Sequence, residues 1–303
     1  MNRQHKIPVT IITGFLGAGK TTFINYLLQS ESATQFALVE NEFGEVAIDT
    51  KLIKGVDTSQ MFELKQGCIC CTITDEYELV LKELAERFPE VDHLLIETTG
   101  IADPAPVIQP FFSDEELNEI YEYNGTVCLV DVLNFWTHPE QETHLKQLVI
   151  ADLILLSKAE NLLPAEINKI QNELQSLNPF ATSLVSKYGA AGYNLQSIQR
   201  KIRTKFDFVS HRVSHAHIQT KTFSFSNPVN KEDFINRISY TLDVYKNQIY
   251  RCKGILFFED EPFQYILQGV GGSFEITEGD LIVDTFKSEV IFIGKLDNVQ
   301  LDF

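Results

Sequence analysis

The sequence predicts an α/β protein, a mostly parallel sheet covered by helices, followed by a smaller α+β unit. Three observations carry that prediction. Short apolar segments recur at Val9 to Ile12, Phe36 to Val39, His93 to Ile96, Val127 to Val130, Leu153 to Leu156 and Ser183 to Val185. Stretches with apolar residues at helical spacing separate them, the pattern of successive βαβ units. Beyond a polar run at 210–217, Ser-His-Arg-Val-Ser-His-Ala-His, the pattern changes to short strand-like runs around one helix.

Each element follows from its residues. Val9 to Ile12 leads through a glycine-rich turn into Thr21 to Gln29, where Phe23, Leu27 and Leu28 share a helical face. Glu76 to Arg87 places Leu79, Leu84 and Phe88 to cover the sheet, and Ala165 to Leu177 does so with Ile167, Ile170, Leu174 and Leu177. Short apolar strands joined by helices imply parallel pairing, with ligand loops at the strands' carboxyl ends. In the second unit Thr222 to Phe225, Gly254 to Phe258, Phe263 to Gln268, Ser273 to Ile276 and Val290 to Ile293 read as strands, and Phe234 to Val244 as a helix. Gly269, Gly271 and Gly272 have no helix after them, which makes them a turn or bulge between strands. The boundaries on this reading are 1–208 for the first domain, 209–219 for a linker and 220–303 for the second domain.

The first loop carries the strongest chemical signal. Gly14-Phe15-Leu16-Gly17-Ala18-Gly19-Lys20-Thr21 matches G-x-x-x-x-G-K-S/T and sits between a strand and a helix. Glycines let successive backbone N–H groups converge on phosphate oxygens, and the following helix N-terminus adds its positive dipole end. Lys20 is placed to reach the β- and γ-phosphates, and Thr21 to offer a hydroxyl to Mg2+. The first domain therefore reads as a P-loop NTPase fold.

A second acid is expected near the metal, and His93-Leu94-Leu95-Ile96-Glu97-Thr98-Thr99-Gly100 supplies Glu97 at a strand end. Its carboxylate suits a magnesium-bound water, and the Gly100 amide suits the γ-phosphate, distinguishing GTP from GDP. Glu97 could also be an acid that merely ends a strand, and Asp131 is a weaker rival. Base choice falls to Ser157, Lys158 and Glu160 in Leu156-Ser157-Lys158-Ala159-Glu160. That segment departs from Asn/Thr-Lys-x-Asp at Ser157 and Glu160. Glutamate still offers two acceptor oxygens to guanine, so GTP is favoured over ATP.

The chain has 303 residues, 25 basic against 42 acidic, and a formal charge of −17. That balance repels polyphosphate backbones and anionic lipid, so neither nucleic acid nor membrane is expected as a partner. No apolar run approaches the roughly 20 residues that cross a bilayer, and the N-terminus lacks a signal-peptide pattern, so a cytoplasmic location is expected. Oligomeric state, including a homo-oligomer, stays open.

Five cysteines argue for metal, catalysis or burial over a disulfide framework. Cys128 and Cys252 read as buried thiols. Cys68, Cys70 and Cys71 lie within Gly67-Cys68-Ile69-Cys70-Cys71, and soft thiolates select Zn2+ or cuprous copper over magnesium. Three thiolates leave one position for Glu42, a histidine, water or a client's ligand, and an open position permits handover. Cys70 and Cys71 point to opposite sides if extended, so the segment must turn or bind through two thiolates at once.

Here the chain resembles a known family. Thr13 to Thr22, Glu40-Asn41-Glu42-Phe43-Gly44-Glu45, the Cys68 to Cys71 cluster, Glu97 to Gly100 and Arg251-Cys252-Lys253-Gly254 resemble a CobW-type GTPase of the CobW/HypB/UreG group. The resemblance implies a GTPase domain with a CobW C-terminal domain, slow GTP hydrolysis, and insertion of metal, most often zinc, into a client metalloprotein. It also implies that Glu42 to Asp49 forms a nucleotide-responsive switch near the magnesium. His211, His215 and His217 read as solvated linker residues, with a secondary metal site as the alternative. A nucleotide-switched binding or sensor module with a structural zinc is the competing function.

Overall fold

The structure, a computed structural model, describes residues 5–42, 45–48, 73–134, 142–191, 195, 218–281 and 287–300. The first sheet is built from β1 (Ile7–Gly14), β2 (Phe36–Glu42), β3 (Glu45–Ile48), β4 (His93–Thr98), β5 (Tyr121–Asp131), β6 (Leu153–Ser157) and β7 (Thr182–Val185). Their order across the sheet is β3-β2-β4-β1-β5-β6-β7. All neighbours pair in parallel except β3, which runs antiparallel to β2 at the edge.

Parallel strands buried on both faces explain the near-continuous apolar runs. Alternate residues feed opposite cores: Ile11, Leu94 and Ile96 join one cluster, whereas Ile12, Leu38, Leu95 and Leu129 join another. Among the helices, α1 (Lys20–Ser30) buries Phe23 and Leu27 on the second face. The helix α2 (Ile73–Arg87) buries Tyr77, Leu81 and Leu84 on the first face. Leu79, expected on the covering face, is instead 64% exposed. Leu84 is five positions on, about 140° round the helix axis, so the two cannot share a face.

Three short helices follow β4, namely α3 (Ala105–Ile108), α4 (Pro110–Ser113) and α5 (Glu115–Ile120). Next come α6 (Glu142–Ile150) and α7 (Pro164–Leu177). No helix among the described residues is long and apolar enough to cross a membrane.

The second sheet is antiparallel, with β8 (Gln219–Phe225), β9 (Ile249–Phe257), β10 (Phe263–Val270), β11 (Ser273–Leu281) and β12 (Ser288–Gly294) in the order β11-β10-β9-β12-β8. One face packs under α8 (Lys231–Val244), where Phe234, Ile238 and Leu242 meet Cys252, Val290 and Phe292. The opposite face is buried too: Tyr250, Ile291 and Ile293 join a cluster with Val149, Ile154 and Leu174 of the first domain. Gly271, at φ 57, turns the chain between β10 and β11, as the glycine run predicts. Residues 209–217 of the expected linker lie outside the described residues.

Candidate nucleotide and metal site

The phosphate loop leaves the carboxyl end of β1, between β4 and β5, where a doubly wound sheet opens a crevice. Gly14, Gly17 and Gly19 have φ of 133°, 75° and 97°, conformations that L side chains rarely take. At Gly14 a Cβ would also lie 2.2 Å from the Leu129 carbonyl oxygen. Ala18 is buried and donates its N–H to the Phe15 carbonyl at 3.1 Å, closing the loop. With Gly19 left-handed at its N-cap and no side-chain cap, α1 turns its first amides toward the loop.

Lys20 opens α1 and is almost fully buried, its Nζ donating to the Gly14 carbonyl at 3.0 Å. Burial lowers its pKa against the opposing pull of the Glu97 carboxylate. Phosphate oxygens would act in the same sense as Glu97 and favour the ammonium form. Thr21 and Thr22 are exposed on the first turn.

Glu97 is half-buried near the end of β4, beside Ile12 of β1 and Glu40 of β2 in register. It shares the parity of Leu95, which packs on the α1 face, and so stands on the side of Lys20. Thr98, of opposite parity, donates to Thr13 at 2.9 Å and staples β4 to β1. Beyond it the backbone meets the phosphate loop: a Cβ on Gly100 would lie 2.4 Å from Leu16 N. Thr99 Oγ1, next to Gly100, is buried with no hydrogen-bond partner among the described residues. The glycine cradle, Lys20 within the field of the Glu97 carboxylate, the exposed Thr21 and this unpaired oxygen are a set that fits a magnesium-bound triphosphate.

The expected base-reading segment follows β6. The Ser157 hydroxyl lies 2.7 Å from the Ala18 carbonyl and 3.1 Å from the Val130 carbonyl, so it holds the phosphate loop. Lys158 takes φ 60°, and its Nζ lies 2.7 Å from Asp131 Oδ2. Asp131, the rival metal acid, also accepts from Leu133 N at 3.0 Å and from Asn134 Nδ2 at 2.7 Å. Burial works against its charge, but the hydrogen bonds from Lys158, Asn134 and Leu133 outweigh it and hold the carboxyl below its ordinary range. Asp131 is thus committed to the Lys158 loop. Glu160 is exposed two residues on.

One neighbouring segment escaped the sequence reading. Gly189, at φ 88° after β7, backs onto α1, where a Cβ would lie 2.8 Å from Tyr26 Cβ and 3.0 Å from the Thr22 carbonyl. The exposed Tyr188 is thereby carried next to the first turn of α1. A Tyr-Gly turn after a strand was the available signal.

The side chains of the expected metal site are not among the described residues. Cys68, Cys70, Cys71, Asp49, His211, His215 and His217 lie outside the described residues, and Glu42 is described in its backbone, paired with Glu45. Among the described residues no three His, Cys, Asp or Glu side chains gather to hold a metal. Cys128 and Cys252 are fully buried single thiols, and burial pushes each up to about 12.

A buried charge network that the sequence reading missed joins the two domains. Arg251 and Lys253 of β9 both meet Asp152 Oδ1, the lysine at 2.7 Å, and all three side chains are buried. Arg251 also donates to the Ala151 carbonyl at 2.7 Å, at the carboxyl end of α6. Two cations spaced two apart in a strand of otherwise apolar surroundings were the sequence signal, since one face then needs a counter-charge.

Comparison with known proteins agrees with the fold. The model of the CobW/HypB/UreG nucleotide-binding domain matches residues 8–185, and that of the cobalamin synthesis protein CobW C-terminal domain matches residues 218–302. The zinc chaperone YjiA of Escherichia coli strain K12 is 34% identical over 279 residues, covering 88% of this chain and 87% of that protein. The zinc-regulated GTPase metalloprotein activator 1 of Schizosaccharomyces pombe is 29% identical over 315 residues, covering 89% and 76%. The crystal structure of Zn(II)-bound YjiA GTPase superposes with a TM-score of 0.70 at 28% identity, covering 96% of this chain and 94% of that one. The chain belongs to the CobW/HypB/UreG family.

Proposed function

We propose that this protein is a cytoplasmic GTPase that carries zinc at Cys68, Cys70 and Cys71, with Glu42 as a further ligand, and delivers it to a client metalloprotein. The observation that carries the nucleotide half is the glycine cradle with Lys20 and Glu97 together on the α1 side and Gly100 against Leu16. Relatives named as zinc chaperones and as a zinc-regulated GTPase metalloprotein activator support the metal half.

In this reading Lys20 would bind the β- and γ-phosphates, and Thr21 and Glu97 would hold magnesium, Thr21 through its hydroxyl and Glu97 through a water. Gly14, Gly17, Ala18, Gly19 and Thr22 shape the cradle, with Ser157 fixing it from β6. Magnesium supplies charge neutralisation on the β- and γ-oxygens. Phosphoryl transfer to water depends on positioning and electrostatics, and slow turnover suits a timer. Lys158 and Glu160 read guanine. Glu42 to Asp49 responds to the terminal phosphate, and sharing that segment makes zinc and nucleotide affinities depend on each other reciprocally.

The test is hydrolysis of GTP and ATP, with and without stoichiometric zinc, by the parent and by the Cys70→Ser, Cys71→Ser protein. GTP preference, with a zinc response that the double variant loses, is the expected result. Preference for ATP would overturn the assignment of Glu160 to guanine, and equal zinc affinity in the GDP and GTP-analogue states, measured alongside, would overturn the reciprocal coupling.

A further inference from the structure

The segment after β4 is held less by its own side chains than by a neighbouring helix. Gly100 has no side chain to pack, and Ile101 is 54% exposed. In their place the buried Gln147 of α6 sends Nε2 to the Gly100 carbonyl at 3.3 Å and to the Ala102 carbonyl at 3.1 Å. Lys146, the preceding residue, reaches Asp103 Oδ2 at 2.7 Å, and Asp103 Oδ1 in turn accepts from Ala105 N at 3.0 Å. The same helix touches the phosphate loop, with the His144 ring 5.5 Å from that of Phe15.

The helix is itself fixed at its carboxyl end. Arg251 donates to the Val149 carbonyl at 3.3 Å and the Ala151 carbonyl at 2.7 Å, and Asn178 Nδ2 donates to the Leu148, Val149 and Ala151 carbonyls at 2.8, 2.9 and 2.8 Å. A guanidinium at that end also meets the negative pole of the helix.

We propose that Gln147 is a positioning residue for the terminal phosphate: by tethering the Gly100 and Ala102 carbonyls it fixes the two peptide planes that follow the Gly100 amide, and so anchors the segment from which that amide projects toward the γ-phosphate. The inference rests on the triphosphate reading above. Only a two-proton donor can bridge both carbonyls, which an apolar side chain would leave without their donor and a carboxylate would repel. The Lys146–Asp103 pair cannot replace it, because partly exposed ion pairs constrain geometry weakly. Gln147 touches no phosphate in this arrangement. It acts on the nucleotide through Gly100, which is why its signature is a difference between tri- and diphosphate.

The experiment compares the full-length parent with Gln147→Met, a substitution of similar length. Affinities for GDP and a non-hydrolysable GTP analogue are measured by calorimetry, with kcat and KM for GTP alongside. The expected result is unchanged GDP affinity with GTP-analogue affinity weakened about tenfold, the scale of one lost hydrogen bond in a buried site. Lys146→Met, which frees the same segment from a less buried position, should shift the ratio in the same direction by about twofold to threefold. A folded Gln147→Met protein with the parental analogue-to-GDP ratio overturns the inference and leaves the proposed function standing. If Gln147→Met does not fold, an unchanged ratio in Lys146→Met overturns it equally. A parent that binds neither nucleotide overturns the proposed function, and the inference with it.

Discussion

The Ser157 hydroxyl lies 2.7 Å from the Ala18 carbonyl oxygen, so the last residue of β6 braces the phosphate loop across the β5 strand end. Where an Asn or Thr is usual, a serine makes the span here, with β6 paired to β5 and Ser157 opposite Asp131.

Ser157→Ala should therefore act on phosphate binding and not on base choice. Losing one neutral hydrogen bond costs about 1 kcal/mol of stability. The KM for GTP should rise severalfold, while the preference for GTP over ATP stays at its parental value. Thermal denaturation and paired GTP and ATP kinetics check both statements.

Glu160→Gln makes the opposite prediction. The side chain is exposed, so stability should hardly change. Its carboxylate is the proposed acceptor for guanine N1 and N2, and removing that charge-assisted contact should cut the GTP-over-ATP ratio by about tenfold. Competition between the two triphosphates for the parent and variant reads this ratio directly.

Asp152 supplies a prediction about pH. Burial disfavours its charge, but Arg251 and Lys253 outweigh burial and hold the carboxyl down to about 2. Its ordinary value is about 3.9, so the charged form is favoured in the fold. The stability it contributes is present above pH of about 4 and is lost as pH falls from there toward about 2. Urea denaturation between pH 5 and pH 2 should show this loss in the parent and a weaker one in Asp152→Asn. At neutral pH that variant strands two buried cations and should be about 3–5 kcal/mol less stable.

The parallel domain was legible because its signals are local. The runs beginning at Val9, Phe36, His93 and Leu153 are strands since both their faces are buried, and the motif from Gly14 to Thr21, set between a strand and a helix, located the phosphate loop. The place of Glu97 near the end of β4 was legible for a related reason, an apolar run that closes on an acid. Strand ends were less visible. β9 starts at Ile249, earlier than Gly254, because Arg251 and Lys253 read as polar until Asp152 is seen opposite them. Leu79 misled for want of neighbours in the count: its hydrophobicity is real, but the helix turns it to solvent. Gln147, Lys146 and Asp152 left no pattern, since each matters through a partner at least 25 positions away in the chain, as in Asp152 with Thr126 or Gln147 with Ala102.

The centre of the second sheet is covered on both faces. Its α8 face forms a core of its own, and its other face completes the first domain through Tyr250, Ile291 and Ile293, with Arg251 closing the end of α6. The carboxyl-terminal domain is therefore a wall of the nucleotide half rather than an appendage. A partner that pulled on β9 would strain α6, and α6 carries that load to Phe15 on one side and to Gly100 on the other.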